Sequence, residues 1–107
     1  MQQITPLELK QRLDTGESLT LLDVRESWEF QLCHIDQSLH IPLGDLFEPQ
    51  SLEQLDKQIE VIAICHHGIR SLRAAALLQQ HGFERITNLQ GGVHHWAHQV
   101  DPNMARY

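Results

Sequence analysis

Ile62-Ala63-Ile64-Cys65-His66-His67-Gly68-Ile69-Arg70-Ser71 is the stretch from which the rest of the chain is read. The apolar, β-type run from Val61 to Ile64 ends in a cysteine. A short polar turn with one glycine follows, and Arg70 and Ser71 open a helical stretch, Leu72 to His81, closed by Gly82. Strand, tight loop and helix together aim backbone N–H groups at one spot. A cysteine at that spot lies near the positive end of a helix dipole and beside Arg70, and both favour negative charge on its sulfur. Such a thiolate can attack an anionic substrate, or hold one after attack.

Outward from that stretch the chain alternates strands and helices. Thr5 caps a helix that Pro6 begins and that runs to about Asp14, with Leu7, Leu9 and Leu13 as its apolar residues and Gly16 as its breaker. Leu19 to Val24 reads as a strand buried on both faces, with Asp23-Val24-Arg25-Glu26 at its polar end. Ser27 caps a short helix from Trp28 to Leu32. Ser38 to Ile41 is a short strand stopped by Pro42, and Leu43 to Lys57 reads as short helical turns. Arg85 to Leu89 is a further strand. Gly91-Gly92 turns the chain into a last helix with Val93, Trp96, Ala97 and Val100 on one face. Trp28, Phe30 and Trp96 read as core residues. No internal repeat or low-complexity tract interrupts this order. Alternation of this kind implies an α/β fold with a mostly parallel sheet covered on both faces. Ligands then bind beyond the carboxyl ends of the strands, where Asp23 and Cys65 both lie.

Residues 1–107 read as one domain, long enough to bury its own core. Apolar content of 41% with 21% charged residues fits a soluble globular protein, and the net charge of −6 disfavours nucleic acid and anionic membrane as partners. Two cysteines far apart in sequence make no disulfide framework and suit a reducing compartment. The start of the chain has no basic, apolar leader and no run approaches membrane-spanning length, so the expected location is the cytoplasm.

Four segments resemble the rhodanese family of sulfurtransferases, in order and at family-like spacing. They are Leu22-Asp23-Val24-Arg25-Glu26 with Glu29-Phe30; His34-Ile35 leading to Ile41-Pro42; Cys65 through Ser71; and Gly82-Phe83 with Leu89-Gln90-Gly91-Gly92 and Trp96. The resemblance covers nearly the whole chain and implies a three-layer fold, a five-stranded mostly parallel sheet flanked by helices. It also implies movement of a sulfane sulfur from a small anionic donor such as thiosulfate onto Cys65. The Cys65 persulfide then passes sulfur to a thiophilic acceptor: cyanide, a thiol or a protein thiol. By the same resemblance, the loop amides of His66, His67, Gly68, Ile69, Arg70 and Ser71 cradle the outer sulfur. Cys33 stands where the family usually has glycine in Gly-His-Ile, and Gln37-Ser38 stands for a following Gly-Ala pair.

Elementary chemistry agrees with sulfur transfer. A sulfane sulfur is electrophilic towards a thiolate, sulfite is a good leaving group, and no metal or organic cofactor is needed. Amide donors and Arg70 stabilise the charge on persulfide and departing sulfite. Asp23 and Arg25 read as groups that pair with neighbours to support the site. Cys33 reads as an inert thiol. His94, His95 and His98 share the polar side of the last helix, but without a complete ligand pattern they read as a solvated face, and no metal is expected. Two alternatives stand beside sulfur transfer: a Cys-based phosphatase or arsenate reductase, and a non-catalytic interaction module. The phosphatase loop resembles Cys-x5-Arg, whereas Cys65 to Arg70 is Cys-x4-Arg, a tighter ring sized for one sulfur atom.

Overall fold

The computed structural model describes residues 2–107. Five strands, β1 (Gln2–Ile4), β2 (Leu19–Asp23), β3 (Leu39–His40), β4 (Glu60–Ile64) and β5 (Ile86–Leu89), form one sheet in the order β1-β5-β4-β2-β3. Every pairing is parallel. The helices are α1 (Pro6–Asp14), α2 (Ser27–Leu32), α3 (Pro49–Leu52), α4 (Arg70–Gln80) and α5 (Gly92–Gln99), with a single 3-10 turn at Asp45–Phe47 before α3.

Period-two alternation along β4 divides the core. Val61 and Cys65 join one apolar cluster with Ala74, Ala75 and Leu78 of α4 and with Leu46 and Leu55. Ile62 and Ile64 join the other, with Leu9 of α1 and Val93 and Trp96 of α5. Helices therefore cover both faces, and all five residues of β4 are buried. The paired alanines of α4 let that helix lie close to the strands.

Most expected elements are found close to their expected bounds. The α1 start is a full capping box: the Glu8 N–H donates to Thr5 Oγ1 at 3.2 Å, and the Thr5 N–H donates to Glu8 Oε1 at 3.0 Å. Five readings change. The N-cap of α2 is Glu26, not Ser27, and Glu29 accepts from its N–H. Ser38 to Ile41 pairs only at Leu39 and His40, because Ile35–Ser38 is folded into a turn. Trp28 is 61% exposed and Leu7 is 60% exposed, so neither is core; Trp28 packs edge-on against Tyr107 instead. Phe30 is half-buried and stacks between His34 and His40. The strand β1 was not anticipated, since Gln2-Gln3-Ile4 has no apolar pattern and is held by pairing to β5.

The strand order reverses between β2 and β4. The chain leaves β2 towards β3 on one side and leaves β4 towards β5 on the other, opening a crevice at their carboxyl ends. Asp23 is in register with Ile64, and the Val24 N–H donates to the Ile64 carbonyl at 3.0 Å. The ends of β2 and β4 thus bring Arg25 and Cys65 to one rim.

Candidate active site at the end of β4

Cys65 follows the last residue of β4 and is 1% exposed. The Gly68 N–H donates to Cys65 Sγ at 3.0 Å, closing the loop back over the sulfur. Ser71 Oγ lies 3.4 Å from the same sulfur. The Ser71 hydroxyl donates to Asn88 Oδ1, while Asn88 Nδ2 donates to the Gly68 carbonyl at 3.2 Å and to Gln3 Oε1 at 3.0 Å. The amide of Asn88 is thereby fixed, and with it the loop glycine. Among the described residues, the N–H groups of His67, Ile69 and Arg70 meet no protein acceptor, which leaves free donors in the loop that follows Cys65.

The carbonyls of Cys65 and His66 are turned the other way, into α5. The Val93 N–H donates to the Cys65 carbonyl at 2.8 Å, and the His94 N–H donates to the His66 carbonyl at 3.0 Å. Two orphan amides of one helix thus satisfy two loop carbonyls. The approach is close enough to need Gly92, where a Cβ would overlap the Cys65 and His66 carbonyl groups. Gly68 has φ +100, and a Cβ there would press on the Gly91 nitrogen.

Strand, sulfur loop, helix and the double-glycine turn behind them form one arrangement, and the comparisons match it over most of the chain. The family described as "Rhodanese-like domain" matches residues 5–99. The chain belongs to the rhodanese-like family. It is 35% identical over 102 residues to the "Putative sulfurtransferase YtwF" of Bacillus subtilis, covering 95% of this chain and 96% of that protein. It is 38% identical over 104 residues to the "Probable adenylyltransferase/sulfurtransferase MoeZ" of Mycobacterium tuberculosis, covering 97% of this chain. There the chain spans about a quarter (26%) of the relative's length. The crystal structure of a rhodanese-related protein from Thermoplasma volcanium superposes with a TM-score of 0.82 at 30% identity, over 94% of each chain.

In this rhodanese-like chain two ion pairs near the loop, Asp23–Arg25 and Glu29–Arg70, are joined through Tyr107. Asp23 and Arg25 are fully buried and pair: Arg25 Nη2 donates to Asp23 Oδ2 at 2.7 Å, and Nε donates to Oδ1 at 2.9 Å. Arg25 Nη2 also donates to the Cys33 carbonyl at 2.7 Å, and Nη1 donates to Tyr107 Oη at 2.8 Å. The pair forms as the sequence suggested, and Arg25 also ties down the segment after α2. Burial demands these partners, since an unmatched charge there is costly.

Arg70 meets a protein anion. Its guanidinium forks onto Glu29, Nη1 to Oε1 at 2.6 Å and Nη2 to Oε2 at 2.8 Å. The Tyr107 hydroxyl donates to Glu29 Oε2 at 2.8 Å. These bonds, the Arg70 fork foremost, hold the Glu29 carboxyl down at about 2. Burial, with the carboxylate of Glu29 adding to it, pushes the Tyr107 phenol up to about 12. The Tyr107 ring lies flat on His66, with centroids 3.8 Å apart. Burial, then neighbouring His67, pushes the His66 imidazole below its ordinary value.

Cys33 is buried in the cluster on the opposite face of the sheet from Cys65, and both thiols are free. Reasoning from sequence missed Glu29, Asn88 and Tyr107 as parts of the site. Asn88 left a signal: an amide between Thr87 and Leu89 in a strand buried throughout. Tyr107 left none, being 82 residues from Arg25 in the chain.

Proposed function

We propose that the chain is a sulfurtransferase that carries sulfur as a Cys65 persulfide. The observation that carries this reading is the Gly68 N–H on Cys65 Sγ, inside a loop whose neighbouring amides are free. The Cys65 thiolate attacks the sulfane sulfur of thiosulfate or of a donor persulfide. A new S–S bond forms, the donor S–S bond breaks, and sulfite or thiolate leaves with the electron pair. His67, Ile69 and Arg70 lend amides to the outer sulfur as charge gathers on it. Cyanide, a thiol or a protein thiol then attacks that sulfur and regenerates the Cys65 thiolate. Arg70 acts from behind the loop, through its fork on Glu29, rather than as an open anion clamp. Asp23 and Arg25 position the rim. Names of relatives that include "sulfurtransferase" support the chemistry, and the small ring from Cys65 to Arg70 favours one sulfur atom over a phosphoryl group. A free, unpaired active cysteine fits the reducing conditions of cytoplasm.

Intact-mass analysis after thiosulfate treatment tests the reading. A gain of one sulfur atom is expected, removed by cyanide, absent in Cys65→Ala and retained in Cys33→Ser. No gain of mass, or equal loss in both variants with the fold intact, overturns it, as does Cys65-dependent aryl phosphate hydrolysis without sulfur transfer.

A further inference from the structure

Histidines collect at the mouth of the loop in a way their sequence positions conceal. His66 and His67 follow Cys65 directly, and His94 lies in the first turn of α5. One ring nitrogen from each lies within 4.8 Å of the others. The backbones that bear them are locked together by the His94 N–H on the His66 carbonyl. His67 is exposed and the other two half-buried, so the nitrogens are reachable from solvent. His34, His40 and His81 each engage a backbone carbonyl through a ring nitrogen. Among the described residues, the ring nitrogens of His66, His67 and His94 have no hydrogen-bond partner.

We propose that His66, His67 and His94 form a site for a borderline divalent ion of the zinc class, bridging the sulfur loop and α5. Zinc–imidazole bonds of about 2.0–2.1 Å place ligand nitrogens roughly 3.4 Å apart in a tetrahedron. Side-chain rotation of partly exposed imidazoles closes the difference from 4.8 Å without moving the tied backbone. A donor set of three imidazoles and no carboxylate selects zinc, copper or nickel over magnesium or calcium. The Tyr107 ring stacked on His66 orients one ligand. The fourth position stays open for water or another small ligand. His98, one turn along with its ring 4.9 Å from His94, borders the site. His95 lies to the side of Gly91 and takes no part. The bound ion restrains the loop against α5 and slows sulfur transfer; this clause alone rests on the function proposed above.

Zinc binding to the untagged chain carrying Cys33→Ser and Cys65→Ala, followed by calorimetry, tests the site with no thiol present and no activity needed. One ion per chain with micromolar affinity is expected, weakened at least tenfold by His94→Gln and unaffected by His81→Gln, with magnesium giving no heat. A zinc-induced rise in the melting temperature of the natural chain, lost in His94→Gln, gives the same answer should the double variant fold poorly. Equal binding with and without His94, or binding that vanishes with Cys65, overturns the site. Sulfur loading of Cys65 is read separately by mass, so failure of one proposal does not disguise failure of the other.

Discussion

Gln37 takes φ 70, the left-handed region in which a side chain crowds its own backbone. It stands where the family places the first residue of a Gly-Ala pair. Cys33, the other departure, has φ −164, extended backbone that any residue adopts, so no glycine is needed there. One substitution is therefore strained and the other neutral. Gln37→Gly is expected to stabilise the fold by about 1 kcal/mol, partly offset by the greater freedom of glycine in the unfolded chain. Ser38 differs again: its hydroxyl donates to the Ile35 carbonyl at 2.6 Å and helps to close the turn. Thermal melts of Gln37→Gly check the expectation. A fall in melting temperature would show that the Gln37 side chain contributes more than its backbone costs.

Among the elements, α5 acts on the loop as much as on the core. Its second and third amides, those of Val93 and His94, take the carbonyls of Cys65 and His66, while the Gly68 N–H turns back onto the sulfur. Gly92 makes that contact by having no Cβ at φ +59, where backbone atoms of the loop occupy the space. Gly16 has a similar φ of +80 but nothing within 4 Å of a Cβ. Gly16→Ala is expected to cost only about 1–2 kcal/mol of backbone strain. Gly92→Ala adds overlap with backbone that cannot swing aside, and is expected to cost roughly 3 kcal/mol or more. It should also lower persulfide formation at temperatures where the domain is still folded. Equal melts for the two variants would show that α5 can shift without disturbing the loop.

Across the whole molecule, Glu29 joins distant parts of the chain. It takes Arg70 from the start of α4 and Tyr107 from the other end of the sequence, and Tyr107 in turn takes Arg25. The folded carboxyl sits at about 2, below its ordinary 4.5. A depressed carboxyl lends stability that is present above about pH 4.5 and is lost as pH falls towards 2. The loss is expected to be on the order of 2 kcal/mol, reduced by the partial exposure of Arg70. Arg70→Met should lower stability near neutrality and flatten its decline between those pH values. Chemical denaturation at a series of pH values measures this, and an unchanged acid slope in Arg70→Met would remove Arg70 as the cause.

The linear order of residues determined the layers, the parallel sheet and the position of Cys65. Those features follow from local patterns: buried apolar runs such as Val61 to Ile64, the Thr5-Pro6 helix start and glycines at the turns. Pairing of Asp23 with Arg25 was also legible, because two opposite charges at the end of an apolar strand must find partners. Tertiary structure alone decided the rest. Trp28 lies in an apolar-looking helix yet faces outward, since a helix of six residues cannot settle its own buried face. Arg70 looked free for substrate because Glu29, 41 residues earlier, is its neighbour only after the sheet forms. His94 was grouped with His95 and His98 by helical spacing, but its backbone contact with His66 sets it beside the sulfur loop. Local periodicity records which way a residue faces on its own element; which residue waits opposite is settled by strand order and by the crossing of the chain between β2 and β4.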